Sequence, residues 1–523
     1  MIAWLALAMV GAANPGASYP ARLDLPDQRQ WREAIGRIST RTGIPLPRQG
    51  WPLGAGEVRR FLDQALARDP EAISRADSSA LADLLGGPLE LASWSGNGPS
   101  MLSVHAMASG EWTATDSAHG SNERKGTVGG RIYGVVGGEV LYLSDASIFT
   151  RWSDDFRYWD RYALADGEPS GVPFDDPSED NRYKSNTGAR YTAWAQWSRD
   201  WVTLKYGRDR VQHGPGEWTG LTTRLSTPPY QMLETRLFPF SWLSVQASVL
   251  EAREGEVAGG ISFPGDQRKW VHVHRFELQP GWGLAVAFQN QVLYRDSGGV
   301  NPAYLLPLVP IFFSQDLSGN RDNSAMQFDA TWSSPWRVRL WGALMIDDLN
   351  SLTDIAGDNW LNRWALLCGG QWMVPSRRID GDLTVEYGLV RPWTYTGGRE
   401  EAFTFAHYGL PMGSELGPDS RTLRAKAAWR PIPSLELRLE GSRLWKGLEE
   451  RSRLGRVFAT GDASDTRTLS GRIWERSQVG FGCTWRVHRS FQWEGRGEWT
   501  RDSWEEEDAS KHWTVGMSGE FDW

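Results

Sequence analysis

A chain of 523 residues with 30 Trp, 57 Gly, only 2 Cys, a formal net charge of -8 and a mean hydropathy of -0.47 is not built from apolar spanning helices. Its mild acidity argues against nucleic acid, which demands a basic face. A transmembrane β-barrel stays open, because only alternate strand residues face lipid.

Residues 1–17 read as a signal peptide, an apolar run from Ile2 to Val10 leading into small residues, with cleavage near Ala13 or Ala17. No Lys or Arg precedes the run, so either the start is misassigned or the terminal amine supplies the charge. Export permits a disulfide. However, Cys368 and Cys483 each lie on the apolar side of an alternating segment, and no bridge is expected. Residues 18–95 carry helical spacing in Trp31, Ile35 and Ile38, in Val58, Leu62 and Ala65, and in Ile73, Leu81 and Leu84. Pro and Gly in RQGWPLGAGE and ARDPEA divide this stretch into three short helices. They are too small for a robust core and are expected to pack on the remainder at its periplasmic end.

From 96 to 523 the pattern is alternation. Leu435, Leu437 and Leu439 oppose Glu436, Arg438 and Glu440. Phe491, Trp493 and Trp499 oppose Glu494, Arg496 and Glu498. Tight turns fall at 137–138, 198–200, 239–240, 280–281, 333–335, 374–378, 431–433 and 488–489. Long connections fall between them, at 151–187, 214–228, 253–268, 295–323, 347–360, 391–419 and 447–472. Short and long alternate, which predicts an all-β transmembrane antiparallel barrel of roughly eighteen strands. Both ends of the barrel then lie on the tight-turn side, beside the helices. The longest apolar stretch, Tyr304 to Phe313, holds Pro307 and Pro310 and is about half the roughly 20 residues a spanning helix needs.

An Arg or Lys on the lipid face costs roughly 2–4 kcal/mol at the midplane, so outward rows should lack charge. VTLKYGRDRVQ is an exception, since strict alternation after Val202, Leu204 and Tyr206 sends Arg208 outward. Either Gly207 marks a bulge that switches the face, or the strand has already left the membrane. The final row of Trp513, Val515, Met517, Phe521 and Trp523 grows aromatic toward its end. It resembles the C-terminal signal read by the barrel assembly machinery.

Catalytic motifs are absent, and no enzyme activity, cofactor or metal is expected. His272 and His274 share one side of a strand and read as a lumen-lining polar pair. Asp175-Asp176 and Asp347-Asp348 point opposite ways on extended chain and read as loop charge. The long loops are rich in aromatics: Trp152, Tyr158, Trp159, Trp218, Trp393, Tyr395, Phe403, Phe405 and Tyr408. Flat rings among Asp, Asn and Arg suit a glycan surface. They equally suit loop packing or an interfacial girdle.

YGRDRVQHGPG, with Gly207, Arg208, Gly214 and Pro215, resembles a signature of the Wzi-type capsule assembly family. So do NPAYLLPLVP, with Asn301 and Pro302, NRDNSAMQFD, with Asp322 and Asn323, and the Asp347-Asp348 pair. RPWTYT, with Arg391 and Pro392, and AHYGLPMGSELGPDS, with Gly417, Pro418 and Asp419, complete the order. His213 departs from it, because the family often places Trp before Gly-Pro. The resemblance implies an eighteen-strand outer-membrane barrel with periplasmic helices and extracellular long loops. It further implies a lectin-like role toward capsular or exported polysaccharide, in contact with outer-membrane lipid and lipopolysaccharide. A diffusion channel for sugars or other solutes is the competing reading, with the helices and the 295–323 loop as obstructions. An outer-membrane hydrolase lacks an organised site.

Overall fold

The computed structural model describes residues 29–69, 73–86, 92–95, 100–116, 121–137, 139–153, 184–253, 268–295, 299–301, 304, 322–348, 357, 359, 361–376, 379–397, 403–408, 410–448, 468–469, 471–488, 491–504 and 509–522. The proposed signal peptide, Tyr158, Trp159, Pro302 and Trp523 lie outside them.

Period-two alternation becomes eighteen antiparallel strands closed on themselves. They are β1 (Met101–Asp116), β2 (Ser121–Val136), β3 (Val140–Ser153), β4 (Lys184–Arg199), β5 (Val202–Asp209) and β6 (Tyr230–Phe240). Next come β7 (Leu243–Arg253), β8 (Arg268–Gly281), β9 (Leu284–Tyr294), β10 (Asn323–Ser333), β11 (Val338–Asp348) and β12 (Arg363–Met373). The last are β13 (Asp380–Val390), β14 (Ser420–Ile432), β15 (Leu435–Gly447), β16 (Ile473–His488), β17 (Phe491–Trp504) and β18 (Ser510–Asp522). Each strand pairs with its neighbours in sequence, and β18 closes on β1 from Trp513 opposite Asp116 to Asp522 opposite Met107. Beyond that point Ala92–Ser95 takes over the edge of β1, opposite Val104 to Met101.

The outward rows are uncharged over their middles, as in Val128 and Ile132, or Val515 and Met517, all exposed. At the tight turns Trp201, Trp242, Trp282 and Trp336 stand exposed, a belt of the kind that sits at a membrane interface. Cys368 and Cys483 are free thiols outside the lumen, as expected.

The described helices are α1 (Arg29–Thr42), α2 (Ala55–Arg68) and α3 (Arg75–Gly86). Glu57 starts α2 by accepting the Gly54 N–H at 3.0 Å, and Ser74 starts α3 by accepting the Asp77 N–H at 3.1 Å. Ile35, Ile38, Leu53, Val58, Phe61, Leu62 and Leu81 form their small apolar core. Polar contacts fix this core to the tight-turn end of the wall. Ser39 Oγ meets Ser333 Oγ at 2.9 Å, and Thr40 donates to Gln371 at 2.7 Å. The helices therefore lean on the barrel, as their length predicted.

Candidate functional site

The lumen is entered from both ends. From the long-loop end, residues 210–229 descend inside the wall, and Gln212–His213 pairs with Gly50–Trp51 of the helical segment. Gly214 (φ 86°) and Gly216 (φ 153°) make the descent possible. A Cβ on Gly216 would stand 1.9 Å from the Thr219 carbonyl oxygen. The next two amides, Glu217 N–H and Trp218 N–H, donate to the Glu386 carboxylate of β13 at 2.7 and 3.2 Å. Trp341 Nε1 of β11 donates to it as well, at 3.0 Å. Lys426 of β14 then joins both intruders, with its Nζ 3.1 Å from Glu33 of α1 and 3.1 Å from Glu217.

Electrostatics accounts for the sealing. Burial raises the Glu33 and Glu217 carboxyls, but the cations around them together outweigh it, Lys426 with Arg29 and Arg37 at Glu33 and Lys426 with Arg339 at Glu217, and both lie below the ordinary range. Asp77 of α3 likewise lies well below its usual value, because Arg37 at 2.8 Å and Arg41 at 2.7 Å overcome its burial. His213 fills its place as a neutral ring, with Nδ1 3.0 Å from Thr223 Oγ1 and Nε2 2.9 Å from Gln246 Nε2. Burial pushes its pKa well down, with Arg275, Arg236 and Arg48 adding.

The described residues of 391–419 cap this plug. Tyr395 N–H donates to Asp347 at 2.8 Å, and its hydroxyl donates to the Leu221 carbonyl at 2.8 Å. Asn323 and Arg363 hold the Thr396 carbonyl, and Arg391 holds that of Gly357. Asp419 accepts the Leu469 N–H at 2.7 Å. The apolar centre lies beneath, where Leu221, Phe405 and Met412 meet Leu250, Val271, Val273 and Leu367 of the wall.

The structure thus brings the motif positions Gly214, Asn323, Asp347, Arg391 and Asp419 together as supports for two loops. Gly417 (φ 66°) and Pro418 lie buried in the same turn, and Pro392 beside Arg391. Asp348 pairs with Arg363 at 2.9 Å on the rim. Pro215 lines the lumen with Gly214. Of the aromatics, Trp393 and Tyr395 are buried, Trp218 is half-buried in the lumen and Tyr408 is half-buried at the cap edge. Trp152 is exposed on the outer wall over Gly126, the girdle position.

Three expectations are corrected or resolved. His272 and His274 face away from the lumen, not into it. Their row holds Trp270 and Phe276, whereas Lys269, Arg275 and Glu277 of the other row reach inner partners. Both rings lie within 3.1 Å of the Tyr304 carbonyl oxygen. Asn301 N–H donates to Tyr294 of the same outer row, and Asp322 accepts the Tyr304 hydroxyl. Asn301 and Tyr304 therefore lie on the outer wall, Asn323 turns inward to the cap, and 210–229 enters the lumen; most of the 295–323 connection, expected as an obstruction, lies outside the described residues. Finally, β5 keeps its register through Gly207 without a bulge. Arg208 points outward over the Tyr191 ring at 4.6 Å, one residue before the strand ends.

Sequence reasoning missed Glu386, Lys426 and Arg339, whose signal was a charge in an inward row. It also missed the asymmetry of the lumen. Inward carboxylates Glu234, Glu277 and Glu386 are 1%, 3% and 3% exposed. Glu111, Glu440 and Glu494, across the barrel, remain 43%, 45% and 31% exposed. Cavities of about 340 and about 440 Å³ flank the start of α1.

No protein-family model and no curated protein matches the chain. Among solved structures the fold is similar to that of Wzi from Escherichia coli, an outer membrane protein involved in group 1 capsule assembly and a carbohydrate-binding β-barrel. The two are 13% identical, the match covers 95% of this chain and 98% of that one, and the TM-score is 0.55. OccK7 and OprD of Pseudomonas aeruginosa are each 10% identical, covering 81% and 80% of this chain and 99% and 95% of theirs, with TM-scores of 0.43 and 0.42. At these identities the likeness is one of fold.

Proposed function

We propose that this chain is a non-enzymatic, lectin-like outer-membrane protein that attaches capsular or exported polysaccharide to the cell surface through its long loops. The observation that carries this reading is the lumen itself. Along β5–β14 it is packed with chain from both ends, so the barrel serves as a platform for its loops. The fold likeness to a carbohydrate-binding barrel supports the same reading. On it, the helices are periplasmic, the long loops are extracellular, and the outward rows meet lipid and lipopolysaccharide. Assembly proceeds through the C-terminal strand. Exposed Trp152 and Tyr408 at the cap edge, with Tyr158 and Trp159, are our candidates for contact with sugar, whereas Trp393 and Tyr395 are buried and hold the cap. Deleting the gene and measuring polysaccharide on washed cells and in the medium tests this. Polymer still made but shed is expected, and polymer retained in normal amount sinks the reading.

One observation favours a diffusion channel as the second reading: the half-exposed charges along β1 and β15–β17. Single-channel conductance separates the two.

A further inference from the structure

Arg339 begins the inward row of β11 and is only 7% exposed. Its guanidinium lies 5.1 Å from the centre of the Trp341 ring. It also lies against Gly36 of α1, where a Cβ would come within 3.2 Å of its nitrogens. A glycine in mid-helix weakens the helix, and here it makes room for this side chain.

Among the described residues the Arg339 side chain has no ion pair and no hydrogen bond, and its buried Nε has no acceptor. The carboxylates facing it from farther away are already engaged. Glu217 is held by Lys426, Asp382 by Arg430, and Glu386 by three N–H donors. A desolvated guanidinium without a counter-charge is unfavourable, and its planar fork fits an oxyanion better than any other partner.

Arg339 lines the cavity of about 340 Å³ together with Arg29, Arg32, Arg224, Lys426 and Trp218. Five cations stand there against the three carboxylates Glu33, Glu217 and Glu440. The volume falls in the range of about 300–1,000 Å³ common for small-molecule sites. The half-buried ring of Trp218 offers a flat apolar face of the kind a sugar ring covers.

We propose that this lumenal cavity binds a small oxyanion, the carboxylate of an acidic sugar or inorganic phosphate, with Arg339 as its counter-ion. The site is internal, so its fate and that of the surface-attachment reading are independent.

The test is calorimetric titration of the folded full-length protein in detergent with glucuronate, inorganic phosphate and, as neutral control, glucose. Saturable binding of an oxyanion without binding of glucose is expected. Arg339→Gln should weaken it about tenfold or more, the loss of a charge-assisted pair. Glucuronate alone assigns the site to acidic sugar, whereas phosphate, alone or as well, assigns a general oxyanion site. Absence of saturable oxyanion binding overturns the proposal, as does binding that Arg339→Gln leaves unchanged. If Arg339→Gln does not fold, Arg339→Lys decides. It keeps the charge and loses the fork, so affinity must fall several-fold, and unchanged affinity overturns the proposal.

Discussion

At the scale of single residues, the loop that fills the lumen depends on backbone that only glycine adopts freely. Gly216, at φ 153° with the Thr219 oxygen 1.9 Å from its missing Cβ, cannot accept a methyl group without moving backbone. Gly216→Ala should cost about 1–3 kcal/mol, read as a lower denaturation midpoint of the refolded barrel. An unchanged midpoint would mean that residues 210–229 are not held in this descent. His407 makes a second residue-scale prediction. Burial pushes its pKa down to about 3, with Arg208, Lys269 and Arg253 adding, and its Nδ1 accepts the Arg253 N–H at 3.0 Å. A depressed folded pKa means that its stabilisation is fully present above the unfolded value of about 6.5. That contribution, on the order of a few kcal/mol, is lost as pH falls from there toward about 3. His407→Asn keeps an acceptor for Arg253 and does not titrate. Hydrogen exchange of the cap should therefore depend less on pH in this variant than in the parent, and equal pH dependence would remove His407 from the account. Some of this scale was legible in the sequence. His272 and His274 alternate with Trp270 and Phe276, and Lys269, Arg275 and Glu277 mark the opposite row as the wet one. Weighing the whole strand, rather than the pair, gives the correct face.

At the scale of elements, turns and strands were legible because period two and Gly/Pro punctuation are local signals. The direction in which a loop folds is not local. The segment 210–229 turns inward because Glu386, some 170 positions along the chain, receives its amides; Glu217 and Glu386 are separated by 169 residues. Lys426 is the clearest case of such dependence, since one ammonium joins α1 to the descending loop. Removing one partner from a buried ion network costs about 3–5 kcal/mol, because the other charges stay buried and unpaired. Lys426→Met should therefore loosen α1 and the loop together, seen as new protease cleavage in both. Neutralising the carboxylates as well, in Glu33→Gln/Glu217→Gln/Lys426→Met, should recover much of the loss, since it removes the unpaired charges. A triple variant no more stable than the single one would show that Lys426 acts through packing on Trp218, not through charge.

At the scale of the whole molecule, an empty wall of sixteen to eighteen strands leaves an aqueous channel. This one is closed on the β5–β14 side by buried pairs and left charged and half-exposed on the other. Composition predicted a wet lumen from its mixed inward charges, but not how those charges divide. Pairing inside a barrel depends on which intruding segment meets which strand. The arrangement makes a definite prediction for planar bilayers. The full-length protein should insert with a conductance at least about tenfold below that of an open barrel of this size, since packed chain replaces conducting water. Asp77 accepts from Arg37 and Arg41 and so ties α3 to α1, while Lys426 ties α1 to the loop above. Asp77→Asn combined with Lys426→Met should therefore raise the frequency of opening events without changing the size of the fully open state, because the wall itself is untouched. A large steady current from the parent protein would end the platform argument and favour the channel. Silence in both proteins would instead mean that the apolar centre around Leu221, Phe405 and Met412, and not the ion pairs, keeps the lumen shut.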